Sequence, residues 1–162
     1  MEQPINRGGL VIILTFAIAY VLALMPMYEG VRSMRPEWVS LVLIYWCMAI
    51  PHRVGVFSGW LAGIILDVVY GALIGQYALA LAIIAFLSYK LQNRLQMYPI
   101  LQQSLIILLL IALSQMIILW IKGVTGSAPH TISYWLPSLS STLMWPIVYA
   151  TLSHVRRVFG IV

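Results

Sequence analysis

Asp67 is the one acid inside a long apolar stretch, and it stands in a ladder of glycines spaced four apart: Gly55, Gly59, Gly63, Asp67, Gly71 and Gly75. A carboxylate held in lipid costs about 2.5–3.5 kcal/mol on insertion scales, so such a group pairs, lines a cavity or carries a proton. Two roles are therefore open to Asp67. It could handle a proton or a polar substrate, or it could hydrogen-bond a neighbouring helix and cap the Gly71–Gly75 turn. No Lys or Arg lies within the surrounding apolar runs, so its candidate partners are neutral: Gln76 and Gln115 first, then Ser114, Ser58 and Tyr70. The glycines carry a second possibility. Residues at i and i+4 share a helix face, so Gly55, Gly59 and Gly63 form a smooth strip. Such strips let helices meet backbone to backbone in lipid. The strip serves either packing within the chain, docking of another protein's transmembrane helix, or a groove for a lipid or small molecule.

Acid–base chemistry needs at least two positioned groups, and Asp67 stands alone. His52, His130 and His154 fall at the ends of different apolar runs on two sides of the membrane and cannot meet at one metal. Ser138, Ser140, Ser141 and Thr142 have no histidine at a helical spacing. No phosphate loop, zinc spacing or dinucleotide fingerprint is present. The chain is read as a non-enzyme with no cofactor or metal. Arg32 and Arg35, flanked by Glu29 and Glu37, form a charged outer loop. That loop either meets solvent and lipid headgroups or contacts an extracytoplasmic partner.

The elements that must position these residues follow from composition. The 162 residues are 62% apolar and 8% charged, against about 45–50% and about 25% in soluble domains. That excludes a soluble globular enzyme, a disordered chain and, with Cys47 the single cysteine, a disulfide scaffold. Nine basic residues scattered between apolar runs act as orientation signals, and no nucleic-acid partner is expected. The runs do not alternate as barrel strands do, so the spans are helices, each needing about 20 apolar residues.

Six spans are predicted, at about 8–27, 36–50, 54–70, 75–89, 101–121 and 134–153, within a single membrane domain covering 1–162. Pro26 and Pro51 close the first two, and Pro146 is expected to bend the last. The first apolar run is too long for the core of a cleaved signal peptide, and no small-x-small site follows it. Between Arg53 and Lys90 the only charge is Asp67. One straight helix there would be about 54 Å long, well beyond a hydrocarbon core of about 30 Å. The chain must turn back at Gly71-Ala-Leu-Ile-Gly75, as two short spans or as a re-entrant hairpin. Either way, one side holds Arg7, Arg53, Lys90, Arg94, Arg156 and Arg157, and the other Arg32, Arg35 and Lys122. The positive-inside rule then puts both termini in the cytoplasm, with Arg156-Arg157 as a topology anchor.

The ordered set Arg35-Pro36-Glu37-Trp38, Leu41-Val-Leu-Ile-Tyr45-Trp46, Pro51-His52-Arg53, the Gly59–Gly75 ladder and Trp145-Pro146 before a basic tail resembles the MreD family of rod shape-determining proteins of Gram-negative bacteria. The resemblance implies an inner-membrane component of the cell-wall elongation machinery. It implies as partners a bitopic MreC-like protein, a RodA-like glycosyltransferase, a penicillin-binding transpeptidase and, indirectly, the MreB cytoskeleton, together with membrane lipids. It also implies an all-α bundle of six transmembrane helices similar to the membrane substrate-binding subunits of energy-coupling-factor transporters. By that second likeness, the alternative function is a small-molecule or lipid-binding membrane subunit. The family supplies no catalytic residues to carry over.

Overall fold

The computed structural model describes residues 5–161. Among them are seven α-helices, one 3-10 turn and no strand. α1 spans Ile5–Leu24, and α2 is a single turn at Glu29–Arg32. α3 spans Trp38–Ala49, α4 Val56–Tyr70, and α5 Gln76–Met97. α6 spans Ile100–Val124. After the 3-10 turn at Ile132–Trp135, α7 spans Leu136–Val158.

α1 and α6 are long and apolar enough to cross a membrane, and α3 and α4 are shorter apolar helices. At 12 and 15 residues, α3 and α4 reach only about 18 and about 22 Å. α5 continues past the expected end near 89 as far as Met97, so Lys90 and Arg94 sit on its last turns and not in a loop. Leu91 and Leu95 drive this extension. Leu95 is fully buried and Leu91 packs against the same core, so the strip that α5 turns inward outlasts its apolar run. α7 runs unbroken through Pro146, and Pro137 sits in its first turn, where a missing N–H costs nothing.

α3 is the hub. Every residue from Val39 to Met48 is buried. That fits a helix with no polar face, which must be surrounded on all sides. It packs against α1, α5 and α7; α4 pairs with α5, and α6 bridges α5 and α7. The largest groups in this core are Trp46 and Trp145, both fully buried. Each indole N–H finds an acceptor on another helix: Trp46 donates to Thr15 Oγ1 at 2.9 Å and Trp145 to Gln103 Oε1 at 3.4 Å.

The outer faces are apolar as well. Leu10, Val21 and Leu101 are 60%, 64% and 80% exposed, and Phe57, Val68 and Leu109 are exposed beside them. A water-soluble bundle of this size does not leave such faces bare. Lipid is the solvent that accepts them.

Candidate functional site

Asp67 lies in the last turn of α4 and is 0% exposed. Its carboxylate is fully engaged. Oδ2 accepts the Gly75 N–H at 2.8 Å and the Ala78 N–H at 3.4 Å, and Oδ1 accepts the Tyr77 N–H at 2.8 Å. These are backbone donors of the first turn of α5, which have no acceptor within their own helix. The carboxylate also faces the positive end of the α5 dipole. The Asp67 carbonyl meanwhile accepts the Ala72 N–H at 2.9 Å, which closes α4. One residue thus ends one helix with its backbone and starts the next with its side chain.

The glycines make this reach possible. Gly71 and Gly75 adopt φ of 62° and 105°, left-handed values that favour glycine, and between them they reverse the chain in five residues. Gly59 and Gly63 let α4 touch α5. A Cβ on Gly59 would fall 2.8 Å from both Ala85 Cβ and the Leu81 carbonyl oxygen, and one on Gly63 would overlap the backbone of Ala78.

Of the uses open to the Gly55, Gly59 and Gly63 strip, packing within the chain is the one Gly59 and Gly63 serve, and they are not free as a candidate helix-docking face. Gly59 and Gly63 are buried against α5 of the same chain. Gly55, the N-cap of α4, has open space around it. The strip is filled from within because the tight turn delivers α5 onto it.

Of the two roles open to Asp67, the structure shows the cap at the Gly71–Gly75 turn, and no side-chain bond joins Asp67 to Gln76 or Gln115. Asp67 takes backbone donors. Gln115 on α6 donates from Nε2 to the Tyr134 carbonyl at 3.1 Å, and the Tyr134 hydroxyl donates to the Gln115 carbonyl at 2.7 Å. Gln76 is buried with its amide nitrogen unpaired. Asp67 bonds the backbone because those N–H groups are fixed 8 to 11 residues ahead by the turn, whereas Gln76 and Gln115 would each have to order a flexible side chain.

Of the outer-loop pair, Arg32 is exposed. Arg35 is folded back: its guanidinium donates to the carbonyls of Ala23 and Met25 at the end of α1. Of the candidate outer-loop contacts, Arg35 is thus engaged within the chain. A cation there satisfies carbonyls left open at a helix C-terminus and meets the negative end of the dipole.

Two further cross-helix caps were not foreseen in the sequence. Gln103 on α6 donates from Nε2 to the carbonyls of Leu95, at 2.7 Å, and Tyr98, at 3.3 Å, closing α5. Gln96 on α5 donates to the Met48 carbonyl at 2.7 Å, closing α3. The sequence signal, where there is one, is a lone polar residue in an apolar run near another run's end. No N-cap side chain of α3 to α7 serves its own helix, so several ends are satisfied in trans, as a medium without water requires.

The fold and its apolar exterior define an all-helical membrane protein in which several polar side chains close the ends of neighbouring helices. Within that class, the model for the rod shape-determining protein MreD matches residues 5–155. The rod shape-determining protein MreD of Haemophilus influenzae is 30% identical over 142 residues, covering 88% of each chain. The chain belongs to the MreD family, and its role lies in rod shape determination. No solved structure matches it.

Proposed function

We propose that this chain is a multi-pass scaffold in the bacterial inner membrane, crossing it six times through α1 and α3–α7 with both termini cytoplasmic. In this reading it binds an MreC-like bitopic protein. Through that protein it links a RodA-like glycosyltransferase and its penicillin-binding transpeptidase to the MreB cytoskeleton, without catalysing a reaction itself. The observation that carries the reading is the family match along nearly the whole chain. It is supported by the engagement of Asp67, whose oxygens are spent on the α5 backbone and are not presented to a substrate.

Because Gly59 and Gly63 are taken up inside the chain, the partner helix is assigned to the exposed apolar exterior instead. The test is capture of the tagged full chain from membranes in mild detergent, with identification of co-purifying proteins by mass spectrometry. Recovery of cell-wall synthesis proteins is the expected result. Their absence, together with normal rod shape in cells lacking the gene, would sink the scaffold reading.

The alternative is a ligand-binding membrane subunit with the likeness to energy-coupling-factor transporters noted above. One feature favours it, a cavity of about 270 Å³ lined by Arg32, Glu37, Tyr70 and Tyr77 at the end opposite the termini. That volume is below the roughly 300–1,000 Å³ of ordinary ligand pockets, and Asp67 does not line it. The scaffold reading is therefore preferred.

A further inference from the structure

At the end of the bundle that carries both termini, α3, α5 and α7 part to leave a cavity of about 510 Å³. Its walls combine Arg156, Arg157, Ser153 and Tyr149 of α7 with Gln96 of α5 and Tyr45 of α3, over a floor of Met48 and Ala49. Among the described residues, the only charged groups lining it are Arg156 and Arg157. Two guanidinium groups thus share a concave site, and among the described residues none of opposite charge lines it.

The local geometry leaves the right atoms free. Gly160, at φ 57°, turns the chain back after α7, so the Ile161 N–H returns to the Arg156 carbonyl at 3.0 Å. The Ile161 carbonyl then accepts Arg156 Nε at 3.3 Å. This fixes the side chain through one nitrogen and leaves the two terminal nitrogens of the guanidinium to present a fork, the geometry that matches a phosphate. The Tyr45 hydroxyl donates to Ser153 Oγ at 3.2 Å, so the Ser153 proton is available to a further acceptor. Gln96 uses its amide nitrogen on the Met48 carbonyl, which leaves its carbonyl oxygen to accept a hydroxyl.

The geometry points to a binding site for the phosphodiester headgroup of an anionic phospholipid, with Arg156 and Arg157 as the phosphate ligands. Ser153 and Tyr149 supply hydroxyl donors, and Gln96 supplies an acceptor suited to a headgroup hydroxyl. Phosphatidylglycerol has both features. Free phosphate shares the anionic chemistry. The lipid is the assigned source because the cavity lies at the helix ends, level with Lys90 and Arg94 on the last turns of α5. Basic pockets between helices at that depth meet anionic headgroups of the cytoplasmic leaflet at high local concentration. The inference stands on the cavity and does not depend on any protein partner.

Native mass spectrometry of the full chain, released from detergent after incubation with phosphatidylglycerol or with phosphatidylcholine of the same acyl chains, tests it directly. Wild type is expected to retain phosphatidylglycerol over phosphatidylcholine by roughly tenfold or more, as two basic groups near a surface predict. The double variant Arg156→Gln/Arg157→Gln is expected to lose that preference, and Arg94→Gln, outside the cavity, to keep it. Should the double variant fold poorly, Ser153→Ala and Tyr149→Phe, which leave the charges intact, are expected to cut retention severalfold. Inorganic phosphate in large excess should not displace the lipid. Equal retention by wild type and the variants, or an equal loss in Arg94→Gln, would overturn the site. Displacement by inorganic phosphate would overturn the lipid as its source.

Discussion

Asp67 was readable in the sequence as a costly acid able to cap the Gly71–Gly75 turn, but the particular N–H groups it takes were not. The three N–H groups that surround it belong to Gly75, Tyr77 and Ala78, and backbone donors leave no trace in residue types. Hydrogen bonds to a charged group are worth about 1.5–3 kcal/mol each in net stability. Asp67→Ala should therefore lower stability in detergent by at least about 2 kcal/mol, read as a clear drop in melting temperature. Asp67→Asn keeps one acceptor and should fall between. An alanine variant that melts with wild type would remove the capping role. Arg35 is the mirror case at a helix C-terminus. Arg35→Ala should cost about 1 kcal/mol, with Arg35→Lys recovering part of it, and the same melts decide this.

At the scale of elements, the glycine ladder was legible as a packing face, and the period of four is what made it so. Which helix fills that face was not legible, since neighbouring chain and foreign helix would read alike. The structure separates helical glycines by what surrounds them. Gly9, on α1, has nothing within 4 Å of an added Cβ, whereas Gly63 meets the Ala78 backbone. Alanine raises helix propensity at both by about 1 kcal/mol. Gly9→Ala should then be neutral or stabilising, while Gly63→Ala should destabilise, by about 1–3 kcal/mol as overpacking does. Parallel thermal melts give the comparison, and identical behaviour at the two sites would contradict the α4–α5 contact. The α1–α3 contact has its own probe in Thr15. Thr15→Val keeps the shape but strands the indole N–H of fully buried Trp46, at a cost of about 1–3 kcal/mol.

For the whole molecule, the distribution of charge supports the proposed orientation. Arg7, Arg53, Arg94, Arg156 and Arg157 gather at one end, and Lys122 with Arg32 and Arg35 at the other. Cys47 is buried, so single introduced cysteines can report sidedness. Ser127→Cys, between α6 and α7, should react with a membrane-impermeant maleimide added outside spheroplasts. Asn93→Cys, near the end of α5, should react only after lysis. The reverse pattern would invert the topology. In the proposed orientation, the cavity beside Arg156 and Arg157 is at the end facing the inner leaflet.

Residue types and their order determined that the chain is helical and lipid-facing, where it must turn, and to which family it belongs. The helices, the lipid-facing exterior and the turns follow from the solvent acting on residues one at a time, since lipid tolerates no bare backbone and few charges and glycine and proline act locally; the family follows from the order of residues along the chain. Tertiary structure alone decided that α3 is the hub, that Gly59 and Gly63 face inward onto α5, and that Arg35, Gln96 and Gln103 close the ends of helices other than their own. A helix end can be capped by any polar group that arrives there, and arrival depends on how the helices pair.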